Sequence, residues 1–309
     1  MRNISIIYGG NTIESDYSRK ASLFLSEKLT HSFHIFLIAV ESMFNGQLWG
    51  VLKQSDCVIN LVYGSPGQEG LVPMICESIG VAYIGSDQFS SFLVKNKMLT
   101  KIIAKQNRIK TPKAFLYSTD NLFLDDISYP VVVKPNQKGG LSLGISYCET
   151  RQDIHLAIEC AQQYDDSILV EEYITGREFS VCAIEMDGEL QVLPIIEIIK
   201  SSKICDYDTK SLGKRKLKVA PQLPTAIQES FAYIVKTMFK ALSLRDYAYF
   251  DFILSGANIF FIEAGAVPGF TSNSNLPVSL AHLGIDCADF FADRITYKIC
   301  SREKKGRVI

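Results

Sequence analysis

The sequence lacks an excess of charge of either sign: 32 basic residues face 33 acidic ones, for a net charge of -1. That balance excludes a chain built to hold nucleic acid or an anionic membrane surface by charge alone. Two local basic clusters, "GKRKLK" at 213–218 and "REKKGR" at 302–307, read as a solvated loop and a solvated tail. Long apolar runs are missing as well. None reaches the roughly 18 to 20 residues that a membrane helix needs, and the longest, such as "FHIFLIAV" at 33–40, suit buried strands. Eight cysteines occur without a C-x-x-C pair or a histidine at ligand spacing, which leaves no zinc or dithiol pattern. The opening "MRNISIIYGG" breaks at glycine too early for a secretory signal. Free thiols without such a signal make a reducing cytoplasm the expected location. Two phosphate fingerprints are also absent, since there is no G-x-x-x-x-G-K-[ST] and no G-x-G-x-x-G after the first strand.

What is present is an ordinary globular balance, 47% hydrophobic and 21% charged, in a chain longer than one compact core usually manages. Two or three sub-domains are expected. "NISIIY" at 3–8, "FHIFLIAV", "DCVINLVYG" at 56–64 and "VAYIG" at 81–85 read as strands. Helical patterns at 17–29 and in "EGLVPMICESIG" alternate with them, which predicts a parallel sheet covered on both faces. Apolar spacing from 90 to 107 predicts one helix. After Thr111-Pro112 the pattern turns strand-rich: "PVVVKP", "SILVEEYI", "EFSVCAIEM" and "ELQVLPIIEI", with one helix at about 151–163. A polar, unpatterned segment covers about 200–223. An amphipathic helix at 226–242 and two strands, "YAYFDFIL" and "NIFFIEAG", follow.

Those last strands each carry one carboxylate, Asp251 and Glu263. A turn centred on Ala257 sets the two opposite each other on one face of an antiparallel pair, with Cβ atoms roughly 4.5–5.5 Å apart. Like charges that close need a proton or a cation between them, and Mg²⁺ commonly takes one or two carboxylates plus substrate phosphates. Spacing alone leaves the alternative open that one of the two turns to solvent or to a lysine. Lys134 ends "PVVVKP" and precedes a glycine-rich loop, "NQKGGLSLG", whose backbone N–H groups suit phosphate oxygens. "LVEEYITGRE" supplies Glu171, Glu172 and Glu178 at the end of an apolar strand, a pattern that suits adenine and ribose.

In this order the pieces resemble the ATP-grasp fold and, within it, the D-alanine–D-alanine ligase family, over about residues 3–295. "IIYGGNTIESDYS" is similar to the family's opening Gly-Gly motif with its glutamate, and "YGSPGQEGLVPMICESIGVAYIGS" to its second motif. "VKNKMLTK" and "YPVVVKP" resemble the segments that carry the two ATP lysines. "LVEEYITGREFSV" resembles the adenine hinge, and "FIEAGAVPGFTSNS" the closing metal and substrate loop. The resemblance implies an α/β ATP-grasp protein with an N-terminal parallel α/β domain at 1–89. Two α+β sub-domains, at 90–177 and 178–309, would clasp the nucleotide under a lid at about 200–223.

It also implies a cytoplasmic ligase for peptidoglycan precursors that uses ATP and Mg²⁺ on small amino acids. Nucleic-acid and membrane partners are not expected, and a homodimer is suggested by analogy alone. By position, Lys97 and Lys134 would hold phosphates. Glu171, Glu172 and Ile174 would read adenine, and Glu178 ribose. Asp251 and Glu263 would bind the metal. Glu14 would take the first ammonium, while Ser142, Lys210 and Gly269 would serve the reacting groups and Ser274 the second carboxylate.

Departures from the family pattern fall at chemical positions. Gly265 stands where the family has a metal-ligand asparagine, and Tyr249 where it has a phosphate-contacting arginine. Ser211 replaces the lid tyrosine and Tyr63 a histidine. Ser142 matches the family serine if Leu141 is an inserted residue. Two alternatives therefore stand beside the ligase: a nucleotide-binding protein of this fold without turnover, and an ATP-grasp ligase for other amino or carrier-bound acids.

Overall fold

A computed structural model describes the chain except residues 11–12, 41–45, 66, 119–127, 201, 205–215 and 306–309, and except the side chains at 46, 47, 304 and 305. The first sheet is built from β1 (Asn3–Gly9), β2 (His34–Val40), β3 (Cys57–Asn60) and β4 (Ala82–Ile84), ordered β2-β1-β3-β4. All of its pairings are parallel. α1 (Ser15–Leu29), α2 (Gly46–Leu52) and α3 (Leu71–Ser78) connect the strands. On α1 the buried positions Ser18, Ala21, Ser22, Leu25 and Leu29 recur every three or four residues, which is one helix stripe turned to the sheet.

The single helix expected from 90 to 107 is two helices, α4 (Gln88–Lys95) and α5 (Lys97–Gln106). Asn96 breaks it with an extended backbone (ψ 97), and its side chain accepts from Leu99 N–H at 3.0 Å. The apolar period runs through this residue, so spacing alone conceals the break; asparagine is a good N-cap because its oxygen satisfies an otherwise orphaned N–H.

A second sheet, ordered β5-β8-β6-β7, contains β5 (Ala114–Leu116), β6 (Val131–Pro135), β7 (Ser146–Cys148) and β8 (Ile168–Glu172), with α6 (Ile154–Gln162) against it. The third runs β12-β11-β9-β13-β14, with β10 also on β9. Its strands are β9 (Arg177–Met186), β10 (Glu189–Val192), β11 (Ile196–Ile199), β12 (Lys216–Val219), β13 (Tyr247–Ser255) and β14 (Asn258–Gly265). "ELQVLPIIEI" is thus two strands along one edge of β9. Pro194 has no N–H for the ladder, and the pairing restarts after it. The unpatterned segment also contains a strand, β12, so its end is anchored on β11.

α7 (Thr225–Ala241) covers this sheet, α8 (Asn275–His282) packs on its strands β9 and β12, and α9 (Cys287–Lys305) returns to β3 and β4 of the first one. Phe290 and Phe291 of α9 share a buried cluster with Ile4, Leu25, Ile59, Tyr247 and Phe270. A charged joint lies beside it. Asp246 is fully buried; it accepts from Gly85 N–H at 2.7 Å and pairs with Arg294 at 3.0 Å and Lys298 at 2.7 Å. Apolar packing and a satisfied carboxylate therefore lock the end of β4 to the start of β13. No described helix is long and apolar enough to cross a membrane.

Candidate active site

β13 and β14 bring Asp251 and Glu263 opposite each other. The route differs from a turn centred on Ala257. A two-residue turn at Gly256-Ala257 pairs Ser255 with Asn258, and that register, continued, would set Asp251 against Ile262. A bulge between Asp251 and Phe252 on the one strand and Phe261 and Glu263 on the other inserts Ile262 and moves Glu263 into place. One extra residue in a ladder reverses which side chains share a face. The bulge is tied down from below, because the Ile262 carbonyl accepts from Lys101 Nζ at 3.2 Å. Across β9, Ser180 faces Asp251, and its fully buried hydroxyl has no hydrogen-bond partner among the described residues.

The lysines come from α5 and β6. Lys97 N–H donates to the Asn136 carbonyl at 3.0 Å, and Met98 N–H to Asn136 Oδ1 at 2.9 Å, so the residue after β6 bolts the start of α5 in place. Lys97 then lies 3.9 Å from Glu263. Lys101, one turn on, is 2.7 Å from Glu171, whose other oxygen is 2.5 Å from Lys134. All three members of this Lys–Glu–Lys triad are buried. Burial opposes the charge on Lys97 and Lys101 and brings each down to about 8. Burial also opposes charge on Lys134 and Glu171, but their partners outweigh it, raising Lys134 and lowering Glu171. The Glu171 carboxylate is therefore committed to charge balance rather than to a base. Lys101 was not singled out by sequence, although its place four residues after Lys97 in one helix was the available signal.

The glycine-rich loop after β6 closes the cleft. Gly139, Leu141 and Ser142 all hold positive φ (76, 54 and 66), a backbone that costs a non-glycine residue about 1 kcal/mol or more. The strain turns Ser142 into the cleft. A Cβ at Gly140 would fall 2.0 Å from Glu14 Oε2, so the Glu14 carboxylate rests directly on the loop's backbone. The resulting cleft is lined among others by Glu14, Lys97, Ser142, Tyr249, Glu263 and Gly265. Lys134, Glu171 and Asp251 are not among the residues that line it.

The remaining expected residues lie around it. Glu172 is exposed, and Ile174 is buried just past β8. Glu178 on β9 is ion-paired with Lys200. The Tyr173 hydroxyl donates to the Lys203 carbonyl at 3.2 Å, which ties the segment after β8 to the one after β11. Lys210 and Ser211 lie outside the described residues. In the loop after β14, Ser274 Oγ accepts from Thr271 N–H at 3.1 Å and would sit 2.7 Å from a Cβ at Gly269. Phe270 N–H donates to the Tyr63 hydroxyl at 2.9 Å, so this tyrosine, just past β3, pins the loop to the first sheet.

Among the described residues no group of three or more His, Cys, Asp or Glu is placed to hold a metal. Asp251 and Glu263 offer hard oxygen donors only, which fits an ion such as Mg²⁺ that completes its shell with phosphate oxygens and water.

Comparison with known proteins agrees with this layout. The family model described as D-ala D-ala ligase C-terminus matches residues 102–296. The D-alanine–D-alanine ligase of Coprothermobacter proteolyticus is 29% identical over 305 residues, covering 95% of this chain and 98% of that protein. That of Flavobacterium johnsoniae is 30% identical over 245 residues, covering 78% and 76%. The crystal structure of the Bacillus anthracis D-alanine–D-alanine ligase complexed with ATP superposes with a TM-score of 0.85 at 24% identity, covering 99% of this chain and 100% of that one.

Proposed function

The chain belongs to the D-alanine–D-alanine ligase family, and on that premise we propose that it joins two D-amino acids at the expense of ATP, D-alanine with D-alanine being the first pair to test. The observation that carries this reading is the opposition of Asp251 and Glu263 with the Lys97 ammonium 3.9 Å from Glu263. Two carboxylates held face to face beside a lysine suit a nucleotide triphosphate and its counterion.

In the reaction the carboxylate of the first amino acid attacks the γ-phosphorus of ATP, the bond to ADP breaks, and an acyl phosphate forms. The amine of the second then attacks the acyl carbon, and phosphate leaves. Negative charge develops on oxygens in both steps, so fixed donors supply most of the stabilisation. Glu14 would orient the first amino acid through its ammonium. Lys97 and Lys134 would hold the phosphates, with Lys134 kept charged by Glu171. Ser142 and the loop backbone would meet them from the opposite wall, and Lys210 from the lid. Asp251 and Glu263 would hold Mg²⁺, which supplies positive charge to phosphate oxygens. Ile174 and the hinge after β8 would receive adenine, Glu172 the edge of that pocket, and Glu178 the ribose. Gly269 N–H would steady the oxyanion, and Ser274 the second carboxylate. The test is mass spectrometry of products formed from ATP, Mg²⁺ and mixed D- and L-amino acids. A D-dipeptide with stoichiometric ADP is expected; absence of any ATP- and amino-acid-dependent product over the panel sinks the reading.

A further inference from the structure

Tyr249 and Gly265 are paired across β13 and β14, one step beyond Asp251 and Glu263 on the same face of the sheet. The tyrosine ring does not point along its own strand. It lies across Gly265, where an added Cβ would fall 2.1 Å from Cε1, 2.4 Å from Cζ and 2.6 Å from the hydroxyl oxygen. Real side chains never approach that closely, so no residue except glycine fits at 265 while the ring stays where it is. The two residues are one structural unit.

The unit lines the cleft. Glu263, Asp251 and Glu14 are the charged groups that act on the phenol, and its hydroxyl makes no hydrogen bond among the described residues. No arginine lines that cleft: among the described residues its side-chain donors are Lys95, Lys97, Lys138, Gln68, Ser142 and Tyr249. Glu14 and Glu263 line the cleft together with Tyr249. A phenol keeps its proton at neutral pH and donates it without adding a charge.

We propose that Tyr249 is a catalytic residue of this site, donating its O–H to a non-bridging oxygen of the transferring phosphoryl group, with Gly265 as the space that lets the ring reach it. This rests on the phosphoryl-transfer reading above. The phenolic proton stays on oxygen throughout; the contact strengthens as charge spreads over the phosphoryl oxygens.

Tyr249→Phe keeps the ring over Gly265 and removes only the donor. Its kcat for dipeptide formation should fall about 100-fold, the usual effect of deleting one preorganised donor. Its affinity for ADP should stay within about threefold of wild type, with an unchanged melting temperature. Affinity for ADP with aluminium fluoride, which mimics the phosphoryl group in flight, should fall with kcat. Gly265→Ala displaces the ring and should lose a similar factor, and the double variant should lose no more than either single one, as for two members of one unit. Wild-type kcat or wild-type ADP–aluminium fluoride affinity in Tyr249→Phe overturns the inference while leaving the ligase reading intact. If the wild type makes no dipeptide, the ligase reading fails, and the aluminium fluoride comparison alone decides the role of Tyr249.

Discussion

Glu171→Gln is the substitution that most directly probes how this site stays charged. Glutamine keeps the shape of the side chain and removes the one anion that Lys101 and Lys134 share at 2.7 and 2.5 Å. Exposures of 4% for Glu171, 3% for Lys134 and 1% for Lys101 leave no solvent to substitute for it. Breaking a buried pair by deleting one partner typically costs about 3–5 kcal/mol. A second bound comes from the lysine itself. Lys134 can always shed its proton, and doing so at pH 7 from an ordinary value near 10.4 costs about 5 kcal/mol at most. Lys101, already down at about 8, adds only about 1 kcal/mol by the same conversion. The expected loss is therefore about 3–6 kcal/mol. At about 2.1 cal/mol/K of unfolding entropy per residue, 309 residues turn that into a melting temperature lower by roughly 5–9 °C.

The pH dependence makes this test specific. In the wild type Glu171 raises Lys134, so Lys134 is protonated in folded and unfolded chains alike between pH 7 and 9.5 and contributes no slope there. In the variant burial acts on Lys134 without its partner, and the folded-state value drops below the unfolded one. The unfolded chain then binds the extra proton, and stability rises with pH. Glu263 and Asp251 still favour the Lys134 charge, so the gap between variant and wild type should narrow as pH rises, by at most about 3 kcal/mol from pH 7 to pH 9.5 at 1.36 kcal/mol per unit. Guanidinium unfolding followed by circular dichroism at both pH values measures it. A loss under 1 kcal/mol, or a gap that ignores pH, would refute the charge-balance account.

The other expectations concern the cleft's walls. Lys97→Met should raise the KM for ATP roughly 10- to 100-fold in steady-state assays while leaving the melting temperature level or higher, because burial already disfavours the Lys97 charge. For the same reason ATP affinity of the wild type should fall as pH rises through about 8. Phosphate favours the protonated lysine, so binding at pH 8.5 should take up protons, read by calorimetry in buffers of different ionisation enthalpy; no uptake there contradicts it. Gly140→Ala places a Cβ 2.0 Å from Glu14 Oε2. It should weaken the first amino acid at least 10-fold in KM, and an unchanged KM means that Glu14 does not hold that ligand. Tyr63→Phe removes the acceptor 2.9 Å from Phe270 N–H and should cost about 1–3 kcal/mol in thermal unfolding for the orphaned donor.

The chain's layout was legible because local periods and the order of motifs agree with the fold. Strand–helix alternation marked the first sheet, and the glycine loop after "PVVVKP" marked one wall of the cleft. What escaped is what side-chain direction decides. Asp251 was placed opposite Glu263 from a turn that does not exist, and the pairing holds because Ile262 bulges out. "IFFIEA" runs apolar through 259–262, so the slip from a period of two to three is masked, although the buried positions Ile259, Phe261 and Ala264 record it. Asn96 was hidden inside a continuous helical pattern, and Asn136, which donates to its side-chain oxygen, lies 40 residues further on, just past β6.

Tyr249 and Gly265 show why position-by-position reading reaches its limit. Taken one at a time, each is only a departure from the pattern that the resemblance implies. Taken together they are a single exchange, because the ring of one occupies the volume that any side chain at the other would need. Restoring either position alone must then fail for opposite physical reasons. Gly265→Asn drives a side chain into the ring. A charged chain at 249 with Gly265 retained leaves the volume over the glycine without the ring that now fills it, next to Asp251 and Glu263. Altering both at once is the only change that keeps the wall packed, so activity in the pair above that of both single variants is the signature of a coupled site rather than of two independent defects.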